Sequence, residues 1–223
     1  MAATTRPPEP AVPAGPALLE RFDAVERLAH WANAALFLAL VATGALLYVA
    51  PLGDLVGRRA LVEDVHVWCG VALPVPLAAA VAGRWGSALR ADLRRFNRWS
   101  HGDRLWLGAL TLRRPERLAV MSRVEVGKFN AGQKLNAAFT AGAGLVMLGT
   151  GAIMRWYRPW PLAWRTGATF VHDWLALAAG LVILGHIAMA LRHPESLRSM
   201  WTGRVSRRWA EEHAPGWLAG HDG

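Results

Sequence analysis

The sequence predicts an all-α integral membrane protein: a bundle of four transmembrane helices with both termini on the cytoplasmic side. Apolar residues make up 53% of the 223 positions, and they gather in four blocks instead of being spread as a soluble core would spread them. Each block is close to the roughly 20 residues that cross about 30 Å of hydrocarbon. Lys and Arg, which give the chain a formal charge of +9, sort unevenly between the connecting segments. Together these observations set the class, and each element follows in order.

The first ~20 residues, rich in Pro and Ala and without an apolar core, read as a disordered tail occupying 1–20, not as a signal peptide. The membrane domain then runs over 21–223. The polar stretch RFDAVER leads to a first span over about 29–50, which Pro51 and Gly53 close. A second span covers about 66–83; it is short and holds Pro74 and Pro76, which a membrane helix tolerates where neighbours satisfy the freed carbonyls. The segment 84–134 mixes Arg with Trp, Leu and Phe, as amphipathic helices lying on the cytoplasmic interface would. A third span, about 135–154, carries Gly142, Gly144, Gly149 and Gly151, small residues that let helices approach. The aromatic loop WYRPWPLAW (156–164) fits an interfacial belt, and a fourth span covers about 171–191 before a basic tail over 192–223. No internal repeat stands out.

Outside the spans, the segments 1–28, 84–134 and 192–223 hold three, twelve and five Lys/Arg, whereas 51–65 and 155–170 hold two and three. Cytoplasmic segments near membrane ends collect these residues. The basicity is therefore a topology signal, and no nucleic-acid partner is expected. The lone Cys69 excludes an intramolecular disulfide, a four-cysteine cluster and a Cys-rich zinc site; C-x-x-C-H, needed for covalent haem, is absent. Cys69 reads as ordinary helix packing.

Ionisable residues inside membrane spans are costly and point to function. Of eight histidines, His30, His66, His172 and His186 fall within or at the ends of the spans; His101, His193, His213 and His221 lie in loops or tails and read as surface residues. The direction of each helix sorts the four into two levels, His66 with His172 outside and His30 with His186 inside. His172 and His186 are 14 residues apart, which at about 100° each falls about 40° short of four turns, and at about 1.5 Å each spans about 21 Å. Both therefore leave one face of one helix. That pattern fits two b-type haems stacked across the bilayer, each held between two imidazoles, with both axial positions filled for electron transfer. Few intramembrane carboxylates accompany them, which weighs against a di-metal or metal-transport site.

The segments RFDAVERLAHW (21–31), VHVWCG (65–70), GKFNAGQKLNAAF (127–139), VHDWLALAAGLVILGHIAMAL (171–191) and HPESLRSMWTGRVSRRWAEEHAPGWL (193–218) resemble the gamma subunit of membrane-bound formate dehydrogenase. That subunit is a cytochrome b556 within the family shared with nickel–iron hydrogenase cytochrome b subunits. The resemblance implies two haem b cofactors, an outer one on His66 and His172 and an inner one on His30 and His186. It also implies a quinone site, for menaquinone or ubiquinone, beside the inner haem at the cytoplasmic face, carried by Asn130, Gly132, Gln133 and His186. The residues themselves leave this open, since an amide pair can meet a quinone oxygen or cap a helix. The implied role is membrane anchor and electron carrier in the bacterial inner membrane. An iron–sulfur subunit and a molybdenum or tungsten catalytic subunit are the implied partners, and quinone reduction is the only reaction expected on this chain. The long loop is richer in Arg and Trp than the family pattern, so partner docking there is expected to differ.

Two rival readings fit the same pattern, and a third, a standalone ascorbate- or superoxide-linked cytochrome b561, leaves the GKFNAGQK block and the tail unaccounted for. A cytochrome b subunit of a hydrogenase or another molybdopterin oxidoreductase would share the histidines, and a neighbouring coding region for the large subunit would separate the two. A haem-free transporter or membrane anchor would purify without a chromophore.

Overall fold

The structure, a computed structural model, describes residues 18–121 and 123–220; the greater part of the 1–20 tail and His221 lie outside the described residues. Its helices, α1 (Ala24–Tyr48), α2 (Ala50–Val56), α3 (Arg59–Ala72), α4 (Val75–Ala82), α5 (Ser87–Phe96), α6 (His101–Ala109), α7 (Arg114–Met121), α8 (Ala131–Arg155), α9 (Leu162–Arg192), α10 (Pro194–Thr202), α11 (Arg207–His213) and α12 (Pro215–Ala219), are joined by one two-stranded sheet. Its strands are β1 (Leu18–Glu20) and β2 (Arg204–Ser206).

Four helical runs are long and apolar enough to cross a membrane: Ala24–Tyr48, Arg59–Ala82, Ala131–Arg155 and Leu162–Arg192. Between 0 and 6% of the most apolar stretch of each is buried by the rest of the chain, so the apolar surface faces outward and needs non-aqueous surroundings. The chain is thus a mostly helical membrane protein with the four expected spans. Each begins four to nine residues ahead of its sequence-read start, since hydropathy marks the hydrocarbon crossing and helices reach past it, while the first two end within two residues of the expected limit. Asp23 caps α1 with Glu26 in a reciprocal capping box, five residues or more ahead of the apolar run. The second span bends where Pro74 breaks the ladder, and α3 passes into α4 there.

One end of the bundle carries a folded cap, which departs from the sequence reading in two places. Leu18–Glu20, assigned to the disordered tail, is a strand that pairs antiparallel with Arg204–Ser206. The basic tail after 192 is folded too: Leu19, Val205, Trp209, Ala210, Ala214, Trp217 and Leu218 form its core. These apolar residues come from the two ends of the chain, so no single window of sequence displays them. Gly203 turns the chain between α10 and β2 at φ +82°, where an added Cβ would lie 2.5 Å from the Phe22 carbonyl oxygen.

The segment 84–134 forms α5 to α7 as amphipathic helices, as expected, but buried ion pairs also fasten it to the spans. Lys128 pairs with Asp92 on α5 and lies 3.6 Å from Glu26 on α1. Lys134 on α8 bonds Asp103 on α6 at 2.7 Å. Burial pushes the Asp103 carboxyl up, but Lys134 and the Ser100 hydroxyl and amide together hold it below its usual range.

Candidate functional site

The four span histidines meet in two pairs. His66 on α3 faces His172 on α9 with ring centroids 6.3 Å apart and an interplanar angle of 65°. His30 on α1 faces His186 on α9, again at 6.3 Å, with an angle of 58°. Because α9 is continuous from Leu162 to Arg192, both of its imidazoles are carried by one uninterrupted helix. His66 and His172 sit about two and three turns inside their helices rather than at the ends.

An imidazole nitrogen binds a transition metal at about 2.0–2.1 Å and lies about 1.1 Å from its ring centre, so two rings flanking one metal have centroids about 6.3 Å apart. Both pairs match. Spacing alone is not decisive, because His193 and His213 in the cap stand 6.2 Å apart. That third pair differs in its surroundings. His213 stacks flat on Trp209 with its Nδ1 3.2 Å from the Trp209 carbonyl oxygen, and both residues lie outside the spans.

Hydrogen bonds distinguish the His66–His172 pair, the one expected on the outer side, further. Thr43 Oγ1 on α1 lies 2.8 Å from His66 Nδ1, and Thr150 Oγ1 on α8 lies 2.9 Å from His172 Nδ1. With Nδ1 engaged, Nε2 is the nitrogen left for a metal on both rings. Beside each threonine stands a glycine. A Cβ at Gly44 would stand 3.5 Å from His66 Cε1, and one at Gly151 3.4 Å from His172 Cε1, so bare backbone meets that edge of each ring.

The inner pair is built differently. His30 meets Trp31 edge-on at 5.3 Å, Trp31 stacks on Trp201 at 4.1 Å, and its Nε1–H donates to the Met200 carbonyl oxygen at 2.9 Å. His186 is exposed in the isolated chain although it lies in an apolar span. An imidazole there is costly in hydrocarbon unless a bound group covers it. Asn33 Oδ1, one turn along α1 from His30, is buried with no hydrogen-bond partner, an unmet polar atom beside the same pair. The ring spacing and the free Nε2 atoms fit haem iron held between paired imidazoles.

Sequence reasoning did not single out Thr43, Thr150 or Asn33. A signal for the threonines was present: Thr-Gly-Ala occurs at 43–45 and again at 150–152, with a span histidine 23 and 22 positions after the threonine.

The GKFNAGQK block has a structural role in the fold. Asn130 is the N-cap of α8, its Oδ1 accepting from Gln133 N at 2.9 Å while Gln133 Oε1 accepts from Asn130 N at 3.0 Å. Gly132 allows close approach of Trp106, whose ring carbon would lie 3.0 Å from an added Cβ. The cavity bordering Asn130 and Trp106 measures about 20 Å³, room for a single water and not for a quinone ring. Cys69 is a free, half-buried thiol lining an apolar groove with Leu36, Trp68 and Ala72, in keeping with packing. His101 is exposed at the start of α6.

The chain is similar to known proteins. A nitrate-inducible formate dehydrogenase cytochrome b556(Fdn) subunit of Escherichia coli K12 is 36% identical over 102 residues, a match that covers 42% of this chain and less than half, 44%, of that relative. The cytochrome b556(fdo) subunit of formate dehydrogenase from the same organism is 27% identical over 206 residues, covering 88% of this chain and 90% of that relative. Residues 21–203, taking in all four histidines and all four spans, match the family described as prokaryotic cytochrome b561, and the chain belongs to that haem b family.

Proposed function

We propose that this chain is the membrane-anchoring di-haem cytochrome b subunit of a respiratory formate dehydrogenase in the bacterial inner membrane. The observation that carries the reading is the meeting of four span histidines in two pairs at equal 6.3 Å spacing, two of them on one helix. His66 and His172 would hold the outer haem iron, and His30 and His186 the inner. When bound, haem b would supply a one-electron relay between the partner's electrons and the quinone. The protein's part is to fix the two pairs at different depths and to keep water from them with apolar helices.

The relatives' names, which set them in formate dehydrogenase, support a multi-subunit complex; in this reading the partners are an iron–sulfur electron-transfer subunit and a molybdenum or tungsten catalytic subunit that oxidises formate. Electrons would enter at the outer pair and leave at the inner pair to menaquinone or ubiquinone. The segments 1–28, 84–134 and 192–223 together hold 20 of the 25 Lys and Arg, which supports a cytoplasmic position for them and for both termini. A quinone beside His186 would bind outside the small cavity at Asn130; the amide oxygens of Asn130 and Gln133 are committed to the α8 cap, which leaves their NH₂ groups to donate to it. Gly132 would contribute space for Trp106 instead of a contact.

Pyridine haemochrome quantification on the purified full chain, with His66→Ala and His186→Ala alongside, tests the reading. Two b haems per chain, and one lost in each variant, is the expected result. A folded chain that binds no haem would return the four histidines to packing or transport.

A further inference from the structure

The outer pair has a hydrogen-bond pattern that fixes where its protons are. Thr43 Oγ1 lies 2.7 Å from the Ala39 carbonyl oxygen as well as 2.8 Å from His66 Nδ1. Thr150 Oγ1 lies 2.8 Å from the Val146 carbonyl oxygen as well as 2.9 Å from His172 Nδ1. A hydroxyl has one proton to give, and a carbonyl can only accept. Each threonine proton therefore goes to the carbonyl one turn back, and each oxygen presents its lone pairs to the ring. Nδ1 must then be the donor. His66 and His172 are held as the tautomer with hydrogen on Nδ1 and the lone pair on Nε2.

The backbone bond itself is a helix habit: Thr166 and Thr169 make it on α9 without an imidazole at hand. What is particular to Thr43 and Thr150 is the ring placed on the free side of the oxygen. Among the described residues, no side chain or carbonyl bonds a ring nitrogen of His30 or His186 in this way.

We propose that Thr43 and Thr150 are positioning residues that fix the tautomer and orientation of His66 and His172 and make them stronger donors to iron than His30 and His186, which holds the outer haem at a lower midpoint potential than the inner one. The inference rests on the di-haem reading above. A hydroxyl that already donates to a carbonyl is polarised into a better acceptor. An acceptor at Nδ1–H raises the basicity of the ligand nitrogen across the ring. A more basic axial ligand stabilises ferric over ferrous iron, and second-shell hydrogen bonding is one of the levers that set haem potential. Two such bonds would act on one iron, one from each side, and both favour electron flow from the outer to the inner level.

The test uses the full chain purified with its haem, comparing wild type with Thr43→Val, Thr150→Val and Thr43→Ser. Valine keeps the branched shape and removes the hydroxyl; serine restores it. Haem stoichiometry is read by pyridine haemochrome, and midpoints by potentiometric titration of the haem absorption band. The expected result is two haems throughout, the lower midpoint shifted upward in each valine variant, the upper midpoint unmoved, and the wild-type value restored in Thr43→Ser. An unmoved lower midpoint in both valine variants, or the same shift in Thr43→Ser as in Thr43→Val, overturns the proposal. Should Thr43→Val lose a haem, Thr43→Ser decides: two haems at wild-type midpoints support the hydroxyl's role, and loss in the serine variant overturns it. Wild-type chain with fewer than two haems overturns the di-haem reading and this inference together, and the stoichiometry tells that failure from the others.

Discussion

The outer and inner histidine pairs reach the same ring spacing by different means. All four spans build the outer pair: α3 and α9 supply the imidazoles, α1 and α8 the threonines that hold them. Only α1 and α9 supply the inner pair, and its support comes from outside the bundle, through Trp31 stacked on Trp201 and bonded to Met200 in the cap. The comparison teaches that a ligand pair inside a bundle can be oriented by local hydroxyls, whereas one at the bundle's end depends on whatever folds over it. The outer pair should therefore tolerate damage to the cap, and the inner pair should not.

The largest effect that would break or sharpen this contrast is expected from Lys128→Met. It leaves the Asp92 carboxylate buried with Arg95 as its remaining partner and Glu26 without its cation, a loss of about 3–5 kcal/mol for breaking a buried pair. On the di-haem reading, thermal denaturation in detergent followed by haem absorption should show the haem at His30 and His186 released before the one at His66 and His172. Simultaneous release would mean that the cap does not support the inner pair selectively. Trp31→Phe keeps the stack on Trp201 and removes the hydrogen bond to Met200, a cost of about 1 kcal/mol. A spectral change limited to the inner haem is expected, and a change in the outer one would count against the division of labour.

Acid gives the smallest and most graded effect. Burial pushes the Glu195 carboxyl up, but the Ser206 hydroxyl and amide, with Arg198 and His213, together hold it below the usual carboxylate range. A depressed folded value means the stabilisation is whole above about pH 4.3, the unfolded glutamate value, and is lost as pH falls through the lower folded one. Limited proteolysis of the cap should accelerate as pH falls below about 4.3, and Glu195→Gln should flatten the dependence. An equal acid response in the variant would place the sensitivity elsewhere.

Much of this was legible in the sequence, for physical reasons that also mark its limits. Hydropathy reports transfer into hydrocarbon, so the four spans and the misfit histidines within them were visible directly. The pairing of His172 with His66 and of His186 with His30 followed from helix direction alone. Thr43 and Thr150 were not visible because a mid-helix threonine bonding its own backbone is unremarkable, and only the repeated Thr-Gly-Ala hinted at a shared task. Asn130 and Gln133 fit a capping box as well as a ligand site, and the cap is what their oxygens make. The folded cap escaped because Leu19 packs with Val205, Trp209 and Trp217, an assembly of sparse apolar residues that no local pattern joins.

The bond from Trp31 to Met200 spans 169 residues of chain. At about 5–20 residues per second, a growing chain would expose the first of these partners roughly 8–34 s before the second emerges. The outer threonine–histidine contacts, 23 and 22 residues apart, close almost as soon as each helical hairpin exists. The outer pair still needs His172, which emerges 28 residues ahead of Met200, so biogenesis has a built-in order in which the outer half closes shortly before the carboxyl-terminal segment secures the inner one. A ribosome stalled late would leave a chain that is half finished at one face of the membrane and complete at the other.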